Sequence, residues 1–71
     1  MRMPEEKRSK VDKLIREIAE HAHVTLLEDE DEEFFARSEG LAMGIARGML
    51  AMGYREDWSE LQATVDRLFK R

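Results

Sequence analysis

The stretch from Glu39 to Gly53, EGLAMGIARGMLAMG, constrains the fold of this chain more than any other segment. Its apolar residues fall on every side of a helix rather than on one face, and Arg47 is its only charge after Glu39. These apolar residues include Leu41, Ala42, Ile45, Ala46, Met49, Leu50 and Met52. A helix that is apolar around most of its circumference needs neighbours on several sides. The sequence therefore predicts a buried helix around which the rest of the chain is packed.

Small residues recur at every fourth position of this helix, which places them on one stripe. Each interior glycine costs about 1 kcal/mol relative to alanine, so three of them cost about 3 kcal/mol of a typical stability of about 5 to 15 kcal/mol. A second helix that approached the stripe closely would recover this loss through dispersion contacts. We therefore predict a helix-packing or oligomer interface here. Its residues are Ala36, Gly40, Gly44, Gly48, Ile45, Met49 and Met52.

The glycine spacing does not fit a phosphate-binding loop, because GxxxGxxxG is not GxGxxG and no GK[ST] follows it. The same spacing is familiar from membrane helix dimers, but this apolar run is too short and too rich in glycine to cross a bilayer. The segment also resembles the glycine-every-fourth-residue tails that follow the nuclease domain in Rpn-type transposase-like nucleases, which run on into a segment like IARGMLAMG. The sequence contains no nuclease core, so the resemblance implies no activity for this chain.

The flanking sequence predicts two further helices and hence an all-α fold, a single small three-helix domain over residues 1–71. The three helices are expected at about 4–22, 29–52 and 57–70, with the second at the centre. The segment from His21 to Leu27 loses the helical period and is predicted to be a connection. Asp29 and Asp57 are the predicted N-caps of the second and third helices, because a glutamate follows each of them three residues later. A chain this short buries a limited core, so we also expect a helical homo-oligomer.

The net charge of -4 is distributed unevenly, because residues 24–40 carry seven acidic residues and one basic residue. Six acidic residues are consecutive: Glu28, Asp29, Glu30, Asp31, Glu32 and Glu33. Such a run stabilises the start of a helix and keeps an apolar helix soluble. It is also suited to binding a basic partner surface, by direct pairing or by imitating a phosphate backbone. The sequence leaves both interpretations open. Since it has no basic face, direct binding to nucleic acid is not expected.

The acid pairs Glu17 with Glu20 and Glu28 with Asp31 are the nearest approach to a catalytic set. All-α nucleotide pyrophosphohydrolases of the MazG kind hold magnesium with acids at similar spacings. Glu20, however, points away from the apolar face of its helix, so the four carboxylates are not expected to converge on one ion.

Other metal sites and nucleophiles are also not predicted. A calcium loop starting at Asp29 would need glycine where Phe34 stands and glutamate where Gly40 stands. His21 and His23 are more typical of a helix end than of a metal site. The chain has no cysteine, and no histidine is placed beside a serine. No catalytic residue, metal or cofactor is therefore predicted.

These features predict a small acidic non-enzymatic protein-protein interaction module of the regulator or inhibitor type. It would associate with itself through the second helix and use the acidic run on a protein partner, which could present a basic surface. One alternative is an acidic nucleic-acid mimic that blocks a nucleic-acid-binding enzyme, and another is a metal-dependent nucleotide pyrophosphohydrolase. No signal peptide or membrane span is visible in the sequence, so a cytoplasmic location is the expectation.

Overall fold

The chain, described over residues 1–71 by a computed structural model, forms three α-helices and no strand. Helix α1 spans Glu5–Asp29, α2 spans Glu32–Ala51 and α3 spans Arg55–Leu68. α2 packs against both other helices, whereas α1 and α3 contact each other less extensively. The prediction of a small all-α domain of three helices is confirmed. None of the helices combines the length and the apolar character needed to cross a bilayer.

The segment from His21 to Leu27 continues α1, which ends at Asp29, so the prediction of a connection there was wrong. The β-branched residues of this segment weaken a helix by less than about 1 kcal/mol each. In return, Leu26 packs against the core, and the Nε2 atom of His23 lies 2.7 Å from the carbonyl oxygen of Leu68. Tertiary contacts therefore outweigh the local preference against a helix.

The turn between α1 and α2 uses two acidic residues in different ways. Glu30 adopts a left-handed backbone conformation with φ of 53°, and its N–H donates to the carbonyl of Leu26 at 3.0 Å. Asp31 is the N-cap of α2, because its side chain accepts a hydrogen bond of 2.9 Å from the N–H of Phe34. The prediction that Asp29 caps this helix was wrong, since Asp29 is the last residue of α1.

The start of α3 also differs from the prediction. Tyr54 occupies the N-cap position without a side-chain hydrogen bond, and the helix begins at Arg55. Asp57, which was predicted to be the N-cap, lies within the first turn and is 1% exposed. Its carboxylate accepts hydrogen bonds from Met3 and Arg8, near the start of the chain.

The hydrophobic core combines residues of all three helices with Phe69, just beyond α3. Its small members come from α1 and α2, so the small side chains that meet inside the domain are alanines rather than the glycines. The core residues are Ile15, Ala19, Ala22, Phe35, Ala42, Ala46, Leu61, Val65 and Phe69. At one end the rings of Phe35 and Phe69 meet edge to face, with centroids 5.3 Å apart. The guanidinium of Arg71 covers the Phe35 ring at 4.8 Å, which draws the end of the chain onto this cluster.

Candidate functional site

The glycine stripe lies on the outer face of α2, which we define as Ala36, Gly40, Gly44 and Gly48. The first three of these residues are exposed and Gly48 is half-buried. A Cβ atom added at any of the three glycines would meet no atom within 4 Å. No neighbouring helix of the same chain therefore approaches the stripe, contrary to what the spacing suggests for packing inside one domain.

The remaining residues of the predicted interface are divided between the core and the surface. Ile45 and Met49 are half-buried and pack against the core. Met52 is 61% exposed at the end of α2. The structure thus places Met52 and the outer face of α2 at the surface, and turns Ile45 and Met49 largely toward the interior.

A groove runs between α1 and α2 on one side of this outer face. Its volume is about 280 Å³, and it is open to solvent. The residues that line it are Ile18, His21, Phe34, Arg37, Ser38 and Leu41. Leu41 of this lining is 57% exposed, and Leu14, one turn before Ile18 on α1, is 47% exposed. This α1–α2 groove is an apolar surface that no part of the chain covers.

A second open groove lies on the opposite side of the outer face, between α2 and α3. It is also about 280 Å³ and is lined by Met43, Gly44, Arg47, Trp58 and Gln62. The outer face of α2 is therefore a low ridge, because its glycines carry no side chains, and a groove lies on either side of it. We call this face the glycine ridge.

The charges near the α1–α2 groove differ between its two helices. Arg37 on α2 forms an ion pair with Glu33, one turn earlier in the same helix. On α1, Glu17 and Glu20 line the surface next to His21 and form no ion pair. The unpaired charge beside the His21 end of the groove is therefore negative.

The acidic segment, Glu28 to Glu33, is exposed throughout and has several local roles. Its first two residues end α1, Glu30 forms the turn, and Asp31 caps α2. Glu32 pairs with Arg71 at 2.6 Å and so joins the chain end to the start of α2. Only the second half of the segment therefore lies at a helix start, where negative charge is favourable.

The most connected polar group of the molecule lies where the first residues of the chain meet α3. Asp57 accepts hydrogen bonds of 2.8 Å from the backbone N–H of Met3 and from Arg8. Glu60, one turn later, accepts two hydrogen bonds from Arg2, at 2.9 and 2.6 Å, and one of 2.8 Å from Arg8. We call Arg2, Arg8, Asp57 and Glu60 the N-terminal charge network.

The pKa values of this network follow from its hydrogen bonds. Burial alone would raise the pKa of Asp57, but the hydrogen bonds from Met3 and Arg8 outweigh it and hold that pKa below its usual value. Hydrogen bonds from Arg2 and Arg8 lower the pKa of Glu60 to about 2. All four side chains are therefore charged at neutral pH, and the network holds the first residues of the chain against α3.

Sequence reasoning missed this network because it assigned Asp57 to a helix cap. One signal was present, since Asp57 shares its helix face with Leu61 and Val65, which are one and two turns later. A charge on a buried face needs a partner of opposite charge. Arg8 occupies the equivalent place on α1, at the start of the face that carries Val11 and Ile15.

The residues weighed as metal ligands are not brought together. No group of three or more His, Asp or Glu side chains is arranged to hold a metal ion. The ring of His21 lies against that of Phe34 at a tilt of 59°, with centroids 5.3 Å apart, and His23 meets the ring of Phe35 edge-on at 5.0 Å. Both histidines therefore serve aromatic packing between α1 and α2.

No protein-family model matches the chain, and no curated protein or solved structure is significantly similar to it.

Proposed function

We propose that this chain is a small acidic protein-protein interaction module, without enzymatic activity, of the regulator or inhibitor type. It associates with a second copy through the outer face of α2 and offers its acidic segment to a protein partner. The proposal retains the cytoplasmic location expected from the sequence. One observation supports the proposal: a Cβ atom added at any of the three glycines of α2 would meet no atom within 4 Å.

The three glycines of α2 lower its stability as a helix. Gly40, Gly44 and Gly48 together cost α2 about 3 kcal/mol of helix propensity relative to alanine. No contact inside the chain depends on their lack of a side chain, since alanine would fit at each position. A second copy whose helix lies on the glycine ridge gives the glycines a role, because two backbones can then approach closely.

Sedimentation velocity over a wide concentration range tests the self-association. Wild-type chain should shift from the 8.3 kDa monomer to a larger species as its concentration rises. Gly44→Leu should prevent the shift, because a leucine on the ridge keeps the two backbones apart. Ala63→Leu is the matched control, since Ala63 is exposed on α3 and away from the ridge. A wild-type chain that stays monomeric at all concentrations would reject the self-association.

A second candidate function is supported by the exposure of the whole acidic segment. Six consecutive carboxylates at the surface suit an acidic mimic that blocks a nucleic-acid-binding enzyme. The two candidates differ in their response to salt. Binding by a mimic should weaken steeply as salt is raised, whereas binding through an apolar surface should change little.

A further inference from the structure

We propose that the α1–α2 groove docks a basic amphipathic helix of a partner protein. The inference rests on the proposed function, because it names the class of partner that the interaction module binds. Four features of the structure carry it: the size of the groove, its length, the secondary structure around it and the charges beside it.

The size of the groove favours protein side chains over a small molecule. Its volume of about 280 Å³ lies just below the range of roughly 300 to 1,000 Å³ that is typical of ligand pockets. It is also open to solvent, Leu41 in its lining is exposed, and Leu14, one turn before Ile18 on α1, is exposed as well. A shallow groove with exposed leucines along it is suited to receive a row of apolar side chains.

The length of the groove matches two turns of a helix. Phe34 and Leu41 are seven residues apart on α2, which corresponds to about 10 Å along the helix axis. On α1 the lining residues are Ile18 and His21, which are about one turn apart. A bound helix would therefore place apolar residues at positions i, i+3 or i+4, and i+7 in the groove. Binding of an extended strand requires a sheet edge, and the chain has no strand.

The charges beside the groove determine the charge of the occupant. Glu17 and Glu20 have no ion-pair partner at the His21 end, and Glu28 of the acidic segment has none either. Arg37 is the one charged residue that lines the groove itself, and its charge is paired with Glu33. Electrostatic complementarity then requires a basic helix whose positive charges concentrate over the His21 end.

The test uses a labelled synthetic peptide of about 14 residues, which as a helix is about 21 Å long. The peptide carries leucine at i, i+3, i+4 and i+7 and lysine at most other positions. Fluorescence anisotropy measures its binding to wild-type chain, at a concentration where sedimentation shows only monomer. A peptide of the same length with glutamate in place of lysine is the charge control, and we expect it not to bind.

Two pairs of variants separate the apolar contacts from the charges. Leu14→Ser combined with Leu41→Ser should weaken binding at least about tenfold, because two apolar contacts are lost. Leu27→Ser is its control, since Leu27 is 84% exposed and lies on the opposite side of α1. Glu17→Gln combined with Glu20→Gln should weaken binding by about threefold to fivefold, and this effect should shrink in high salt. Asp66→Asn, at an exposed position on α3, should leave binding unchanged.

Amide chemical shifts provide a readout that needs no variant. On addition of the peptide to wild-type chain, the largest shifts should map to residues around Ile18, His21 and Leu41. Shifts confined to other surfaces would overturn the proposal, as would binding that survives the loss of Leu14 and Leu41 or equal binding of the acidic peptide.

Other occupants give different results. If the leucine double variant abolishes self-association and wild-type chain does not bind the peptide, the groove belongs to a second copy and the proposal is wrong. Binding of wild-type chain to neutral phosphatidylcholine vesicles, with the same leucine dependence and without peptide binding, would assign the groove to a membrane surface instead. Wild-type chain that binds the peptide but never self-associates would keep this inference and reject only the self-association of the proposed function.

Discussion

Arg8 at the start of α1 and Asp57 at the start of α3 are joined by a hydrogen bond of 2.8 Å, although 49 positions separate them in the chain. Asp57 is almost completely buried, whereas the side chain of Arg8 is 23% exposed. The pair, with the bond from Met3 to Asp57, attaches the beginning of the chain to α3. Because α1 and α3 contact each other less than either contacts α2, this pair contributes to how the two helices are placed.

Asp57→Ala should therefore be one of the most destabilising substitutions in the chain. Removing one partner of a buried pair typically costs about 3 to 5 kcal/mol, because the other charge remains without compensation. Since Arg8 keeps some access to water, we expect a loss of about 3 kcal/mol in the free energy of unfolding, measured by urea denaturation. Asp66→Ala, on the exposed face of the same helix, should change it by no more than about 0.5 kcal/mol. Equal effects of the two substitutions would contradict this role of Asp57.

The same network predicts how stability depends on pH. Glu60 has a pKa of about 2 in the folded chain, below its ordinary value of 4.5, and the pKa of Asp57 is also lowered. The unfolded chain therefore binds more protons than the folded chain in this range, so stability rises with pH. The contribution of Glu60 is complete above about pH 4.5 and is lost as the pH falls toward 2.

Calorimetric melting of Glu60→Gln measures this contribution. The melting temperature of wild-type chain should fall between about pH 4.5 and 2, and the slope should be shallower in the variant. Asp66 forms no ion pair, so Asp66→Asn should change the slope of melting temperature against pH less than Glu60→Gln does. An unchanged slope in Glu60→Gln would mean that this carboxylate does not contribute to acid unfolding.

The three helices could be predicted from the sequence because their apolar residues recur with the helical period. The N-terminal charge network could not, because its partners are far apart in the sequence and their pairing depends on how α1 and α3 pack. The end of α1 was missed for a related reason. The segment from His21 to Leu27 has a weak local pattern, and its helical state depends on contacts with Phe35 and Phe69, which lie elsewhere in the chain.

The glycine stripe shows a different limit of sequence reasoning. Spacing alone predicts that Gly40, Gly44 and Gly48 share one face of α2, and in the structure a Cβ atom added at any of them would meet no atom within 4 Å. The spacing does not tell which molecule lies against that face. Within the chain, α1 and α3 cover other sides of α2 and leave the glycines open.

The acidic segment can be tested for its structural role one residue at a time. Asp31→Ala should lower the free energy of unfolding by about 1 kcal/mol, because the N–H of Phe34 loses its capping partner. Asp29→Ala removes the same charge from the end of α1, where a negative charge is unfavourable. This substitution should not lower the free energy of unfolding. Urea denaturation of both variants measures the difference. Equal losses would mean that net charge, rather than the cap, determines the contribution of this segment.

Alanine substitutions at two glycines should have opposite effects on the stability of the monomer. Gly53, after α2, has a φ of 91°, a conformation that strains any residue with a side chain. Gly53→Ala should therefore lower the free energy of unfolding by about 1 kcal/mol or more. Gly44 has helical geometry and open space at its Cβ position. Gly44→Ala should therefore raise the free energy of unfolding by about 1 kcal/mol, through better helix propensity.

The same Gly44→Ala variant reports on self-association when the measurement is repeated at high concentration. If a second helix lies close to the ridge, the added methyl group should weaken association while the monomer becomes more stable, so the concentration dependence of the melting temperature should decrease. Gly53→Ala should leave that concentration dependence unchanged, because Gly53 lies outside the ridge. A Gly44→Ala chain that is less stable even as a monomer would show that the ridge is already in close contact within the chain. A more stable monomer with unchanged association would instead remove the ridge from the interface.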